Sequence, residues 1–437
     1  MVRIARLGVV LGLLVAGAVV GCDCGPLIMP WGDSGDSGSN GDGGASSADA
    51  GYCESQLAQT TFTFGLCVCQ DLAMANALYS DGYSSSSGSY QPDGEGGSVG
   101  VHQNFLSAGL IDITGSLYSG IDYRPLGADD IHGELHVGDE SFAAGDIHIY
   151  HDAYVVTSIT GIQYTIDGTL HIPAAGTVGL AVDAANTVLE PVAVQVPCRC
   201  DGDQLVDVAA MVADAASRND NGAIGLTPGA WSNIVDTVDQ TFPPGRYYLS
   251  GVKTVAPITV RVSGPTGLFI DGDLESASIF EVILDDNGPN PQLDLFITGN
   301  VIATGVFELG TRQRPAQVRA YVAGDHDITF LGMQHLGINL YAPNARFLAV
   351  GDLEIYGALL CKQLVDVGLV RIHYDTDILV AGNTCEAPTQ QGPDHCASCI
   401  DCGNQACISG SCGRCTDSAQ CCPPLVCLDG SCELVGG

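Results

Sequence analysis

Histidine is the residue type of this sequence that most readily suggests chemistry, because its side chain binds metals and transfers protons near neutral pH. Five of the ten histidines lie between His132 and His171. A further one, His373, lies two residues before Asp375, and alternate residues of a strand share a face. The stretch HYD is therefore either a hydrogen-bonded catalytic pair or a lock at the end of a repeat array. Catalysis also needs a nucleophile or a substrate cleft, and neither is evident, so the lock is favoured.

The C-terminal region carries eleven cysteines between residues 385 and 432. Two C-x4-C-x4-C runs begin 20 residues apart, at Cys402 and Cys422. Four cysteines (Cys396, Cys399, Cys412 and Cys415) also match a zinc-binding spacing, C-x2-C-x12-C-x2-C. Because seven others are interleaved, we favour disulfide bonds in an oxidising compartment. The tail candidates are Cys385, Cys396, Cys399, Cys402, Cys407, Cys412, Cys415, Cys421, Cys422, Cys427 and Cys432.

Further crosslinks are expected in the body of the chain. Two C-x-C segments placed side by side would form two disulfides, since residues i and i+2 of a strand share a face. Cys361 and Cys385 flank the last predicted repeat and are expected to pair, as are Cys24 and Cys53. The matching segments are Cys67-Val-Cys69 and Cys198-Arg-Cys200.

The N-terminus has the layout of an export signal. Two arginines precede an apolar run from Leu7 to Val20, and this run of 14 residues is shorter than the roughly 20 that span a bilayer as a helix. Residues Val19 to Cys22 resemble the lipobox of bacterial lipoproteins. The resemblance implies a lipidated Cys22 that anchors the protein in the bacterial cell envelope, and we expect the outer membrane.

Composition limits the other possibilities. The chain has 437 residues, 46% of them hydrophobic, which is enough for a sizeable core. Fifty acidic residues oppose 15 basic ones, and such a surface repels nucleic acid. No cofactor or structural metal is expected, although acidic residues at the corners of a repeat fold would allow weak calcium binding.

The histidine-rich region has an internal period. The segments GSLY, GELH and GTLH begin at residues 115, 133 and 168, which leaves room for one more repeat near residue 151. About 18 residues per repeat, three sides of about six, is typical of a parallel β-helix. This register predicts an inward column of Leu117, Leu135, Ala153 and Leu170 beside an outward column of Tyr118, His136, Tyr154 and His171.

The outward column is not expected to bind zinc. His136 and His171 lie two predicted coils apart, roughly 10 Å at ~4.8 Å per coil, whereas zinc–nitrogen bonds are ~2.1 Å long. The column is therefore interpreted as a stacked ladder, with a carbohydrate-contact strip as the alternative.

A second, less regular array contains the segments LFIDGD, LFITGN, AYVAGD and LYAPNA. Their aromatic residues predict another column, which Tyr356 and Tyr374 are expected to extend. Glycines three residues later mark corners, where a positive φ favours glycine. The predicted column is Phe269, Phe296, Tyr321 and Tyr341.

One helix is predicted between the arrays, packed on a side or an end of the solenoid. Asp203 is the expected N-cap, and Asn221-Gly222 the expected end. Its apolar stripe is Leu205, Val208, Ala209, Val212 and Ala216.

Several stretches together resemble an uncharacterised domain of bacterial envelope lipoproteins, related to domains of pilus-associated proteins similar to the pilus-assembly protein PilX. They are VPCRCDGDQLVDVAAMVADAASRNDNGAIGL, GRYYLSGV, LDLFITGNV, LYAPNA and VRIHYD. The resemblance covers roughly residues 60 to 385 and implies a β-helical fold similar to the polymer-forming bactofilins, without an established activity. The tail, with adjacent Cys421 and Cys422, resembles knottin and dickkopf-type modules.

The sequence thus predicts a mainly β protein, a parallel β-helix with one packed helix and a disulfide-rich module. The expected parts are a signal peptide (1–21), a Gly/Ser/Asp-rich tether (22–52), N-terminal coils (53–200), a helix with C-terminal coils (201–384) and the cysteine-rich module (385–437). The favoured function is a non-catalytic structural or adhesive role. The alternatives are a binding or inhibitory module acting through the tail and, less favoured, a polysaccharide-active enzyme. Expected partners are the membrane, through the lipid, and an envelope polysaccharide, pilus component or other envelope protein.

Overall fold

The computed structural model describes residues 55–202, 204–285, 288, 290–331, 334–366 and 368–381 of the body. In the tail it describes residues 406–408, 411–413, 416–417, 420, 426–428 and 431–433. Within these ranges no helix has the length and apolar character that a membrane crossing requires. The predictions for Cys22, Cys24, Cys53 and Asp203, and for most tail cysteines, lie outside the described residues.

The body is a three-sided solenoid whose strands pair only in parallel, as the fold-class prediction stated. Many sides of the first array are three-residue strands in which the first and third residues are buried and the middle one faces outward, as in Leu117–Ser119. Leu135 lies in register between Leu117 and Ala153, which confirms the predicted period. Ala153 is followed in turn by Leu170.

The strands form three faces, described from the lower end of the solenoid upward. Face 1 contains Gly245–Leu249, Pro265–Ile270, Gln292–Ile297, Val318–Val322, Leu66–Val68, Val99–Val101, Leu117–Ser119, Leu135–Val137 and Ala153–Val155. Face 2 contains Val252–Thr254, Leu274–Ser276, Val301–Ala303, Ile328–Leu331, Leu72–Met74, Phe105–Ser107, Tyr123–Pro125 and Thr177–Val178. Face 3 contains Val238–Phe242, Ile258–Val262, Phe280–Leu284, Phe307–Leu309, Gln334–Gly337, Leu353–Tyr356, Val370–Asp375, Leu78–Tyr83, Ile111–Ile113 and Asp129–Ile131. Longer strands bend around corners. Four of them contribute to two faces: Asn339–Val350, Leu359–Asp366, Glu140–Ile149 and Val182–Leu189. The longest, Ser158–Ile172, contributes to all three.

The two arrays stack in the reverse of their chain order. Leu66, in the first coil of the first array, pairs with Leu359 of the last coil of the second array on one side and with Val99 on the other. On face 3, Leu78 similarly lies between Val370 and Ile111. From Ser55 onward the chain therefore runs from the middle to the upper end, returns outside the solenoid to the lower end and runs back up to the middle. One continuous apolar core runs through both arrays.

The return path is fastened to the outside of face 1. Disulfides join Cys67 to Cys198 and Cys69 to Cys200, with Cα–Cα distances of 5.9 and 5.4 Å. Gly100 pairs with Cys67 on the next strand, and the return path passes directly over it. A Cβ at this position would lie 2.9 Å from Cβ of Pro197, so a larger residue does not fit.

Helix α2 follows this path and covers the lower part of face 1. It spans Val208–Ser217, and its N-cap is Asp207, whose side chain accepts a hydrogen bond from the Ala210 amide at 2.9 Å. The predicted helix, from an N-cap at Asp203 to an end at Asn221-Gly222, is therefore longer than the observed one. Its buried residues are Val208, Val212 and Ala215, whereas the predicted stripe residues Ala209 and Ala216 are exposed.

The aromatic column of the second array lies beneath this helix. Phe269, Phe296 and Tyr321 stack with ring centroids 4.9 Å apart at each step, and Tyr341 follows in register. The column points outward, but α2 and Phe62 bury it in a second apolar cluster. The predicted extension is wrong, because Tyr356 and Tyr374 lie on face 3.

Smaller elements complete the structure. Helix α1, Ser55–Thr61, packs against the short 3-10 helix Thr376–Val380. Three other 3-10 helices are Ser85–Ser87, Asn221–Ile224 and Pro315–Gln317. Trp231 closes the lower end, with its ring 5.8 Å from Phe242. In the tail two antiparallel hairpins are formed by Ala406–Ile408 with Ser411–Gly413 and by Val426–Leu428 with Ser431–Glu433.

Candidate functional site

The upper half of face 1 presents the predicted ladder. Tyr118, His136, Tyr154 and His171 occupy equivalent positions of successive coils. Their rings are parallel within 8° and their centroids are 4.2, 4.7 and 4.5 Å apart. Each residue is half-buried, because ring faces cover one another while ring edges point away from the sheet. The repeat spacing of the strands fixes this arrangement.

Carboxylates border the ladder. Glu134 lies 2.9 Å from Nε2 of His136, and Glu190 lies 2.7 Å from Nδ1 of His171. Burial lowers the pKa of His136, against the opposite effect of Glu134. Burial thus favours the neutral form of His136, while Glu134 and Glu190 place carboxylates along the edge of the ladder.

A second stacked row lies around the neighbouring corner, between faces 3 and 1. The ring of Tyr150 stacks on His132 at 4.4 Å and on His148 at 4.0 Å. These histidines also have carboxylate neighbours, with Asp112 3.3 Å from His132 and Asp167 3.1 Å from His148. The upper half of the solenoid thus shows two adjacent rows of alternating imidazole and phenol rings. The sequence pattern revealed only the first row, because the second combines two corner residues, His132 and Tyr150, with His148, which lies on face 3 in the same coil as Tyr150.

The ladder can make contacts but does not form an enclosed site. Its histidines are separated by Tyr154, and among the residues that the structure describes no three His, Cys, Asp or Glu side chains are grouped to hold a metal ion. Phenol and imidazole edges offer hydrogen bonds, while the carboxylates attract positively charged groups.

The HYD stretch is arranged differently from the prediction. His373 does not pair with Asp375: its Nδ1 lies 2.7 Å from Asp81, and its Nε2 lies 3.3 Å from Glu354. Asp81 belongs to the first coil of the first array and Glu354 to the second array, so His373 links both. The predicted lock at the end of the solenoid is wrong in its position, because these residues lie at the central junction.

Aromatic residues cover this junction cluster. The Tyr90 hydroxyl donates a hydrogen bond of 2.7 Å to Asp81, and its ring centroid is 4.3 Å from that of His373. The Tyr356 ring also contacts His373, with centroids 4.6 Å apart, and lies edge-on to Tyr90 at 5.3 Å. His373 and Asp81 are more than nine-tenths buried, so neither ring nitrogen of His373 faces an open cleft. This geometry suits a structural connection better than proton transfer to a substrate.

Asp375 has a separate structural task. Its carboxylate is fully buried and accepts hydrogen bonds from the amides of Ser85, at 3.0 Å, and Ala316, at 3.2 Å. Burial raises the pKa of this carboxyl group, although the amide and hydroxyl of Ser85 partly offset the effect. Asp375 thereby ties two short 3-10 helices to face 3.

The position of Cys361 shows that the predicted Cys361–Cys385 disulfide is wrong. Cys361 is an unpaired, fully buried thiol in the inner core, aligned with Ala342 and Val68, so it does not form the disulfide with Cys385 predicted from the sequence. Burial raises its pKa and keeps it protonated. In the tail hairpins, Cys407 lies opposite Cys412, and Cys427 lies opposite Cys432. The other tail cysteines lie outside the described residues.

The solenoid interior contains a carboxyl group that sequence reasoning missed. Asp129 occupies an inward position between Ile111 and Ile147 and is 1% exposed. It accepts hydrogen bonds from the Tyr123 hydroxyl at 2.6 Å and from Ser107 at 3.2 Å. Burial outweighs these bonds and raises its pKa to about 7. The signal was present in the sequence, since the 18-residue period aligns Asp129 with two isoleucines.

Comparison with known proteins gives a family similarity but no function. Residues 200–379 are similar to a domain of unknown function, DUF7305. The similar region contains α2 and the second array, whereas the ladder lies outside it. No curated protein and no solved structure matches the chain.

Proposed function

We propose that the protein is a non-catalytic scaffold of the bacterial cell envelope, anchored through lipid on Cys22, that makes adhesive contacts through the ladder of Tyr118, His136, Tyr154 and His171. The partner is an envelope component, either a polysaccharide or a protein. The ladder is the main support for this proposal, because it places an aromatic or imidazole ring at the equivalent position of successive coils in a rigid fold.

The rest of the body supports a mechanical role. A continuous core and parallel pairing hold the outward residues of successive coils at a fixed spacing. Two disulfides fasten the return path to the middle of face 1. A ligand that spans several coils would contact several rings at once, and weak contacts then add up to useful avidity.

Binding to envelope material tests the proposal. Protein made lipid-free by Cys22→Ser is mixed with envelope fragments from cells that lack it, and the co-sedimenting fraction is measured. We expect the double change Tyr118→Ser and Tyr154→Ser to remove most of the binding. The matched control is Phe142→Ser, which removes an exposed aromatic ring from face 2. Equal binding by the ladder variant and the control would contradict the proposal, as would turnover of the envelope polysaccharide.

A second candidate function is supported by the tail. Its two hairpins have the same length and place cysteines at equivalent opposed positions. Such a repeated module suits binding or inhibition of a protein partner. Deletion of residues 386–437 distinguishes the two functions, because it would abolish this activity and leave ladder-dependent sedimentation unchanged.

A further inference from the structure

The upper end of the solenoid leaves the apolar core exposed. In the last coil, residues 177–189, Leu189 continues the inward column directly above Ile172. Leu189 is 63% exposed, whereas Ile172 is fully buried. Val178 lies in the same way above the fully buried Ile159 and is 40% exposed. These inward side chains are exposed because, in the part of the chain that the structure describes, no further coil lies above them.

The same end also presents strand edges. The strands of the last coil, Thr177–Val178 and Val182–Leu189, pair with Ser158–Ile172 below them, and within the described ranges they pair with no other strand. An edge strand directs a row of amide and carbonyl groups away from its neighbour and is a template for pairing with another chain. The upper end therefore offers backbone hydrogen bonds together with apolar side chains.

The core at the lower end is covered by the chain itself. Residues 221–234 lie across it, with Leu226 and Trp231 buried against the core. This segment also bonds a strand edge on face 2. The Lys253 amide donates to the Trp231 carbonyl at 2.8 Å, and the Ile234 amide donates to the Lys253 carbonyl at 2.9 Å. The two ends of the solenoid therefore differ, with a covered core below and an exposed core above.

We infer that the upper end binds the upper end of a second copy of this chain and forms a dimer with twofold symmetry. The twofold axis places the two last coils edge to edge with antiparallel strands, and each copy covers Val178 and Leu189 of the other. This contact uses both open ends and stops at two copies. Head-to-tail stacking would instead have to displace residues 221–234 from the lower end. The inference goes beyond the proposed function and does not depend on the ladder.

Charge and composition favour a second copy as the partner. Residues 177–189 contain one charged side chain, Asp183, although the whole chain has 50 acidic residues. Two such ends bring little like charge together. The N-terminal tether offers no apolar complement, because residues 32–50 are all Gly, Ala, Ser, Asp or Asn. The last coil is smaller than the roughly 20–30 residues that each partner contributes to a standard interface, so we expect micromolar rather than nanomolar affinity.

Sedimentation velocity of the full chain measures this association. The protein carries Cys22→Ser so that it is free of lipid, and about 150 mM salt screens its net negative charge. We expect a monomer–dimer equilibrium with a Kd of about 1–50 µM and no larger species. Leu189→Lys places like charges opposite each other in the contact and should raise Kd at least about tenfold. Val178→Lys, on face 2, should have the same effect.

Two controls separate the contact from folding and from the tail. Leu126→Lys changes a leucine that is 60% exposed and lies three coils below the upper end, so Kd should not change. Leu189 is already exposed in the monomer, so Leu189→Lys should keep the Tm of the dilute protein within about 2 °C of wild type. Deletion of residues 386–437 should leave Kd unchanged.

Several results would overturn the inference. These are a wild type that stays monomeric at about 100 µM, assemblies that grow beyond the dimer, an equal Kd in Leu189→Lys and Leu126→Lys, or a monomeric tail-deleted chain. A dimer that survives SDS and separates only on reduction would also overturn it, because cysteines would then form the contact. Failure of the envelope sedimentation experiment alone would instead count against the ladder.

Discussion

Replacing Asp129 by asparagine should remove the part of the protein's pH-dependent stability that arises from the Asp129 carboxyl group. Asp129 is buried inside the solenoid with a pKa raised to about 7, whereas its ordinary value is 3.8. The change is nearly isosteric, and the asparagine oxygen still accepts the hydrogen bond from Tyr123.

The sign of the effect follows from proton linkage. The folded protein holds the Asp129 proton up to about pH 7, while the unfolded chain releases it near pH 4. Unfolding therefore releases a proton between these values, so the free energy of unfolding falls as pH rises through this window. The shift of about three units corresponds to roughly 4 kcal/mol lost between pH 4 and pH 7. The asparagine side chain has no proton to lose.

Urea unfolding of both proteins between pH 4 and pH 8 measures the difference. Relative to wild type, Asp129→Asn should be neutral or slightly destabilised at pH 4 and more stable by up to about 4 kcal/mol at pH 8. The control is Asp130→Asn, which removes the same charge from the adjacent outward position. A difference between wild type and Asp129→Asn that stays constant within about 0.5 kcal/mol across the range would refute the reasoning.

The remaining predictions concern the period, the anchor and the tail. Leu135→Asp places a charge in the fully buried column and should lower the free energy of unfolding by several kcal/mol. Its neighbour His136→Ala loses two ring contacts and should cost only about 1–2 kcal/mol, and thermal melting in which His136→Ala is the more damaging would contradict the register. Metabolic labelling with a fatty-acid analogue should mark the wild type and not Cys22→Ser, and equal labelling would refute lipidation. Thiol counting and elemental analysis should find the tail cysteines oxidised and free of metal. Stoichiometric zinc with about four free thiolates would end that prediction.

The sequence by itself determined the local geometry of the first array. An 18-residue period with apolar residues at alternate positions fixes which side chains point inward, because a shift of one residue would bury Tyr118 and His136 and expose their leucine neighbours. The ladder follows directly, since equivalent residues of successive coils must lie one strand spacing apart. The matching C-x-C segments also predicted the two disulfides, because cysteines two residues apart in a strand lie on the same face.

Tertiary structure alone decided how the two arrays are joined. Every coil edge offers the same backbone donors and acceptors. A periodic sequence pattern therefore shows which residues of an array point inward, but not which coil of the other array it stacks on. The choice is made by non-local contacts, including the pairing of Leu66 with Leu359 and the bond from His373 to Asp81. The burial of the aromatic column of the second array is also a non-local effect. Its rings point outward, and they are buried only because α2, which follows the return path, packs across them. Contacts between residues about 290 positions apart leave no trace in local spacing.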